Sequence, residues 1–170
     1  MRIDGRARVV GDDVNTDYII SSARKRATID AATLAPYLFE SIAPGFAATV
    51  QAGDLLVAGR NFGCGSAMEV AATVIQAAGF RAVLAASFAR SFYRNAINNG
   101  LAVIECDTAS IQEGDRVALR VGASETWIEN LTRGERLRGS ALPPIMLDIL
   151  GHGGIVGFLS ARGGWSLPKP

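Results

Sequence analysis

Three short runs are apolar at every position rather than at every second one: Leu55-Leu56-Val57-Ala58, Ala82-Val83-Leu84-Ala85-Ala86 and Leu101-Ala102-Val103-Ile104. A strand covered on one face alternates apolar and polar side chains, so strands without alternation are covered on both faces. The segments between these runs have the helical period. Ser66 to Ala78 places Met68, Ala71, Ala72, Ile75 and Ala78 on one face and stops at Gly79. Ser87 to Asn98 carries Phe88, Phe92 and Tyr93 and closes at Asn99-Gly100. Residues 54–104 therefore read strand, helix, strand, helix, strand, which predicts parallel βαβ units with flanking helices.

The rest of the chain hangs on this unit. Ala7 to Val10 is a strand candidate ending at Gly11. Tyr18-Ile19-Ile20 is apolar and β-prone, and Ser21 to Thr28 reads as a polar basic loop. Ile29 to Glu40 suits a short helix, with Leu34 and Leu38 one turn apart. Asp115 to Val121 and Glu125 to Leu131 alternate around Gly122-Ala123-Ser124 and predict a hairpin. Pro143-Pro144 opens a last helix to about Leu150, and Gly151 to Pro170 is a glycine-rich, weak tail. The expected whole is α/β with a mixed, mostly parallel sheet, and the 170 residues suit one domain.

Composition excludes several function classes. Lys+Arg 17 against Asp+Glu 16 leaves no net basic field for nucleic acid. Two cysteines, Cys64 and Cys106, do not supply a four-cysteine zinc or iron–sulfur site. One histidine, His152, excludes a multi-histidine metal centre within the chain. No apolar run reaches the roughly 20 residues of a membrane helix. Met1 to Gly5 lacks the apolar core of a signal peptide, so a cytoplasmic protein is expected.

The chemistry concentrates in Asn61-Phe62-Gly63-Cys64-Gly65-Ser66, between a predicted strand and a predicted helix. Glycines on both sides of Cys64 let backbone approach a ligand, and free helix amides favour an anion or a serine alkoxide. A purely structural reading stands beside this one. Ser66-x-x-Glu69 is a capping box, in which serine and glutamate satisfy each other's backbone amides. The turn is neither a P-loop, lacking Gly-Lys-Ser/Thr, nor a nucleophile elbow, lacking a glycine at 68. Asp13-x-Asn15-x-Asp17 begins like a calcium loop, but Tyr18 takes the glycine position and Arg24 the glutamate position. Cys64 reads as a small space-filling residue, Arg90 and Arg94 as interface or surface residues, and His152 as non-catalytic.

The turn, with Glu69, resembles the signature of the small subunits of 3-isopropylmalate dehydratase and homoaconitase, whose domain is the swivelling domain of aconitases. Asn15-Thr16-Asp17-Tyr18-Ile19-Ile20, Phe88-Ala89-Arg90 with Phe92-Tyr93-Arg94-Asn95-Ala96-Ile97-Asn98, and Gly153-Gly154-Ile155 match further family segments, in order. The resemblance implies a swivelling β/β/α fold and a hydro-lyase acting on a small hydroxy carboxylic acid, in leucine biosynthesis if the substrate is 3-isopropylmalate. It implies a large-subunit partner bearing a [4Fe–4S] cluster in a heterodimer, and no metal on this chain. Ser66 is then the catalytic base, and Asp17, Gly65 and the loop cations Arg24, Lys25 and Arg26 are substrate-side residues.

The family motif continues Ser-Ser-Arg-Glu-His-Ala, whereas this chain has Ser66-Ala67-Met68-Glu69-Val70-Ala71. The resemblance makes that arginine a carboxylate ligand, and a thioether does not replace a bidentate guanidinium. Three consequences stand open: a substrate with one carboxylate fewer there, another cation in its place, or a non-catalytic binding module that keeps the fold. The run Arg24-Lys25-Arg26 is the candidate replacement cation, and its plain alternative is a solvated basic loop.

Overall fold

The computed structural model describes residues 1–163. Its strands are β1 (Arg2–Val9), β2 (Leu55–Ala58), β3 (Ala82–Ala85), β4 (Ala102–Glu105), β5 (Arg116–Val121), β6 (Thr126–Asn130) and β7 (Glu135–Gly139). Its α-helices are α1 (Thr16–Ile19), α2 (Ser22–Ala27), α3 (Ala31–Leu34), α4 (Glu69–Ala77), α5 (Arg90–Asn98), α6 (Pro144–Gly151) and α7 (Ile155–Ala161). One seven-stranded sheet has the order β4-β3-β2-β1-β5-β6-β7.

The three apolar runs form β2, β3 and β4, which pair parallel as expected, with Leu56 beside Val83 and Val83 beside Val103. Every residue of β2 and β3 is buried. The antiparallel half is the predicted hairpin β5–β6, extended by β7. β1 joins the halves: Arg2 to Arg6 pair antiparallel with β5, and Ala7 to Val9 pair parallel with β2. The sheet curls until its two edge strands touch, at a bridge between Cys106 and Gly139. A Cβ at Gly139 would lie 2.7 Å from side-chain carbons of Ile104 and Ile128, so only glycine permits this closure.

Local signals misplaced several elements. Tyr18 and Ile19 lie in α1, not a strand: the Asn15 side chain caps that turn by accepting from the Asp17 amide, and Ile19 and Ile20 are fully buried. The basic segment expected as a loop is α2, capped by Ser21. It buries no residue, so hydrophobic period had nothing to report there. The helix expected over 29–40 is broken into α3 and a 3-10 turn at Ala35–Tyr37, where Pro36 supplies no amide donor. β7, reading Glu-Arg-Leu-Arg-Gly, and α7, with Gly157 inside it, carry weak local signals and were missed. Residues 164–170 of the expected tail lie outside the described residues. No helix among the described residues is long and apolar enough to cross a membrane.

A buried ion cluster ties β1 to the start of β2. Asp54, 3% exposed, accepts from Arg6 Nη2 at 2.8 Å and from the Gln51 amide at 2.9 Å, with Arg8 Nη1 at 3.6 Å. Burial pushes this carboxyl upward, but the Arg6 and Gln51 hydrogen bonds outweigh it and hold it below its usual value. A depressed carboxylate contributes stability that is full above the unfolded value, about 3.9, and is lost as pH falls through the folded one. Asp54→Asn is therefore expected to destabilise the fold at pH 7 by about 1–2 kcal/mol, since it removes a buried charge partner while Arg6, one-third exposed, and Arg8 keep the Thr49 and Glu113 acceptors. The gap from the parent should narrow below about pH 4, where the parent loses the same interaction. Urea unfolding of both proteins between pH 7 and pH 3 measures this; a gap that stays constant would contradict it.

Candidate active site

Three loops meet beyond the carboxyl ends of the parallel strands, where open α/β sheets bind ligands. They follow β1 (residues 10–15), β2 (59–68) and β3 (86–89). The middle loop is the glycine turn, laced to both neighbours by backbone. On one side Gly63 N donates to Val14 O and Thr16 N to Cys64 O, both at 2.8 Å. On the other, Phe62 N donates to Ser87 O at 3.0 Å and Ala89 N to Phe62 O at 2.9 Å. Asn61 adds its amide to Ser87 Oγ and its Nδ2 to Asp13 Oδ1.

The two glycines have separate reasons. Gly63 has φ +76°, and a Cβ there would fall 2.2 Å from the Phe92 ring. Gly65 has φ +92°, and a Cβ there would strike the Asn15 side chain, which is occupied in capping α1. Left-handed backbone at both points turns the chain away from the sheet before α4 begins.

Ser66 does not cap that helix. Met68 is extended at φ −118°, α4 starts at Glu69, and no side chain caps it, so the expected helix start at 66 and the capping box are both absent. Ser66 is exposed, its carbonyl accepts from buried Thr16 Oγ1 at 3.0 Å, and its hydroxyl has no protein partner among the described residues. The amides of Gly65, Ser66, Ala67 and Met68 also donate to no protein acceptor among the described residues. Four consecutive amides without a protein acceptor thus flank an exposed hydroxyl in sequence, and unsatisfied donors of this kind suit an anion.

The loop cations divide. Lys25 turns toward the glycine turn: its Nζ lies 2.9 Å from Asp17 Oδ1 and against the Met68 sulfur. Hydrogen bonds from Ser22 and then Lys25 hold the Asp17 carboxyl below its usual value. Arg24 instead forms a two-pronged pair with Glu40, at 2.9 and 3.0 Å, and stacks on the Tyr37 ring. Arg26 is exposed, with no ion pair among the described residues. Asp17 and Lys25 thus meet each other and Met68, two residues beyond Ser66, while Gly65 lies against Asn15 and the Ser66 carbonyl against Thr16; Arg24 and Arg26 make none of these contacts. Sequence reasoning missed Met68 as the seat of Lys25, and Thr16 as the anchor of the Ser66 carbonyl. The Asn15-Thr16-Asp17 segment was the available signal for the second.

An iron–sulfur cluster does not suit this chain's own donors. Burial, then Asp107, pushes the Cys106 thiol up to about 12, far from a ligating thiolate. Cys64 stands on a different loop, with its Sγ 3.6 Å from the Asp13 carbonyl. Among the described residues no three His, Cys, Asp or Glu side chains converge. His152 contacts the Asp148 carbonyl through Nδ1 and the Phe158 ring edge.

The turn's geometry separates strain from collision. Gly114 also has a positive φ, +87°, but open space around it. Gly114→Ala should cost about 1–2 kcal/mol from backbone alone, and Gly63→Ala about 2–5 kcal/mol because overpacking against Phe92 is added. Urea midpoints of the two variants test this, and equal losses would show that Phe92 yields freely.

Known proteins share the sequence and the fold. A profile of the Aconitase C-terminal domain matches residues 42–109. The 3-isopropylmalate dehydratase small subunit of Moorella thermoacetica is 45% identical over 164 residues, covering 95% of this chain and 97% of its own length. The 3-isopropylmalate dehydratase small subunit 1 of Methanopyrus kandleri is 43% identical over 161 residues, covering 95% of this chain and 94% of its own. The crystal structure of 3-isopropylmalate dehydratase (LeuD) from Methanocaldococcus jannaschii matches with a TM-score of 0.89 at 41% identity, over 96% of each chain.

Proposed function

The chain belongs to the family of 3-isopropylmalate dehydratase small subunits, and we propose that it completes an aconitase-type hydro-lyase by closing its glycine turn over a substrate held by a large subunit. Near-full-length identity to dehydratase small subunits favours this over a non-catalytic module. The setting is a cytoplasmic, leucine-biosynthetic heterodimer in which residues 1–170 act as one swivelling domain, with a small hydroxy carboxylate as substrate and no role for nucleic acid or membrane. The partner is expected to carry a [4Fe–4S] cluster supplying Lewis-acid chemistry at the substrate hydroxyl.

One observation carries the catalytic reading: among the described residues the exposed Ser66 hydroxyl has no protein partner, and neither do the four consecutive amides of Gly65 to Met68. Dehydration of a hydroxy acid removes a proton from the carbon beside a carboxylate. A serine hydroxyl is far too weak an acid to be that base unless its alkoxide is stabilised. Amides preorganised around Ser66, that of Gly65 included, supply such stabilisation without reorganising. When the partner excludes water, the same dipoles act in a lower dielectric and count for more. Of the cations expected at the substrate's anionic ends, Arg24, Lys25 and Arg26, the geometry favours Lys25, which Asp17 orients, because Arg24 is already held by Glu40.

Because Ser66 caps nothing, Ser66→Ala should leave stability within about 0.5 kcal/mol of the parent. In the two-subunit complex the same change should cut turnover on the order of 100-fold or more. Unchanged turnover would remove Ser66 from the mechanism. The purified small subunit should also contain no stoichiometric iron or acid-labile sulfide, and finding a full cluster in it would overturn the assignment of the cluster to the partner.

A further inference from the structure

A cavity of about 400 Å³ opens at the edge where β7 closes on β4. Phe88, Arg90, Tyr93 and Arg94 line it from the loop after β3 and from α5, while Glu105 and Ser140 line it from the ends of β4 and β7. Arg90 and Arg94 are exposed and stand one helical turn apart. Neither pairs with a carboxylate among the described residues, whereas Arg6, Arg24, Arg60 and Arg133 each do. Glu105 also lacks an ion pair among the described residues, and its Oε1 accepts from the Phe88 amide at 3.3 Å. Charges of both signs therefore share one cavity without bridging it.

The wall of this cavity is continuous with the glycine turn. Phe62 of the turn is fully buried and meets Phe92 edge-on at 5.0 Å, and Phe88 stacks on Phe92 at 6.2 Å. Ser87, next to Phe88, holds the Asn61 and Phe62 amides. The two loops leave neighbouring strands about 4.8 Å apart. A stable protein interface covers about 800 Å² of each partner, so a subunit seated on the glycine turn covers this cavity too. Covering Arg90 and Arg94 strips their water, and a charge buried without a partner is costly. The covering surface must then offer a carboxylate to the arginines and a donor to Glu105. A uniform polyanion does not meet that demand, because Glu105 repels it.

We infer that the Phe88–Arg94 face is a docking socket for the large subunit, which sets an acidic side chain between Arg90 and Arg94 and a basic or amide donor beside it on Glu105. Guanidinium suits this role, since its fork holds a carboxylate by two parallel hydrogen bonds. The socket fixes how tightly, and in what register, the partner meets the glycine turn, because Phe88 and Phe62 pack in one aromatic cluster. It takes no part in the chemistry. The inference rests on the reading that the large subunit closes over the glycine turn.

The test uses the full chain and its cognate large subunit. Sedimentation velocity over a small-subunit titration gives Kd, and turnover of 3-isopropylmalate at saturating small subunit gives kcat. Both are measured at low and at high salt. Arg90→Gln combined with Arg94→Gln should raise Kd at least about 30-fold, the scale of stripping one side from a buried charge pair. It should also flatten the rise of Kd with salt. At saturation kcat should stay within about twofold of the parent, since no group that meets substrate has changed. Arg90→Lys with Arg94→Lys keeps the charge without the fork, and its Kd should fall between the two. Glu105→Lys should weaken assembly as well, because the partner's donor then meets a cation; tighter assembly would overturn the mixed-charge partner surface. Urea midpoints check that the variants fold, and Arg94→Gln alone replaces the double variant should that one not. A Kd within about threefold of the parent, the range of solvated surface arginines, overturns the socket. Unchanged Kd with a fall in kcat overturns it too and moves the arginines to the substrate side. Ser66→Ala is measured in parallel and should keep the parent's Kd while losing turnover. Full turnover there removes the base reading, and the arginine variants still decide the socket on Kd. A parent chain that does not assemble with the large subunit overturns both.

Discussion

β1 is the strand on which the rest of the structure depends. Its first five paired residues belong to an antiparallel ladder and its last three to a parallel one. One continuous backbone thus joins a βαβ unit to a hairpin sheet without a linker. Its carboxyl end also delivers the 10–15 loop to the glycine turn, where backbone hydrogen bonds at 2.8 Å fix Val14 and Thr16 against Gly63 and Cys64. The Asp54 cluster with Arg6 and Arg8 clamps the same strand to β2 from inside. A register slip of one residue in β1 would turn Ile3 and Ala7 outward and displace the loop, so site geometry and sheet register are one constraint.

The glycine turn leaves free the groups that a capped helix start would bond. A helix gains about 1 kcal/mol from a side-chain cap, and Ser66 and Glu69 have the spacing for one. The chain forgoes it. Gly65 in the left-handed region and extended Met68 delay α4 until Glu69, which leaves Ser66 and its neighbouring amides open. Asn61 and Asp13 add two more positive φ angles outside glycine, each tolerated because short polar side chains bond locally, here to one another. The turn is tied down through the backbone of Asn61 to Cys64, while the amides of Gly65 to Met68 have no protein acceptor among the described residues.

Electrostatic placement follows the same division. Two of the three cations on α2 are already paired, Arg24 with Glu40 and Lys25 with Asp17, which leaves Arg26 as the exposed charge of the run. Lys25 alone of the three contacts Asp17 and Met68.

Unalternated apolar strands with helix-period segments between them determined the parallel half and its order, because burial on both faces is written into every residue of β2 and β3. The spacing of Gly63, Gly65 and Ser66 located the turn, because positive φ and close backbone approach are properties of glycine itself. Charge and cysteine counts bounded the chemistry for the same reason, being sums over residues rather than arrangements. Only the tertiary structure decided that α2 is a helix, since it has no buried face to leave a period, and that β7 returns to meet β4 at Gly139, since edge closure is a long-range contact. It also decided that Ser66 stands free of the capping box and that Lys25, not Arg24, faces Met68. Those outcomes turn on a few ångströms between loops that follow different strands, and no local window of sequence contains both sides of such a contact.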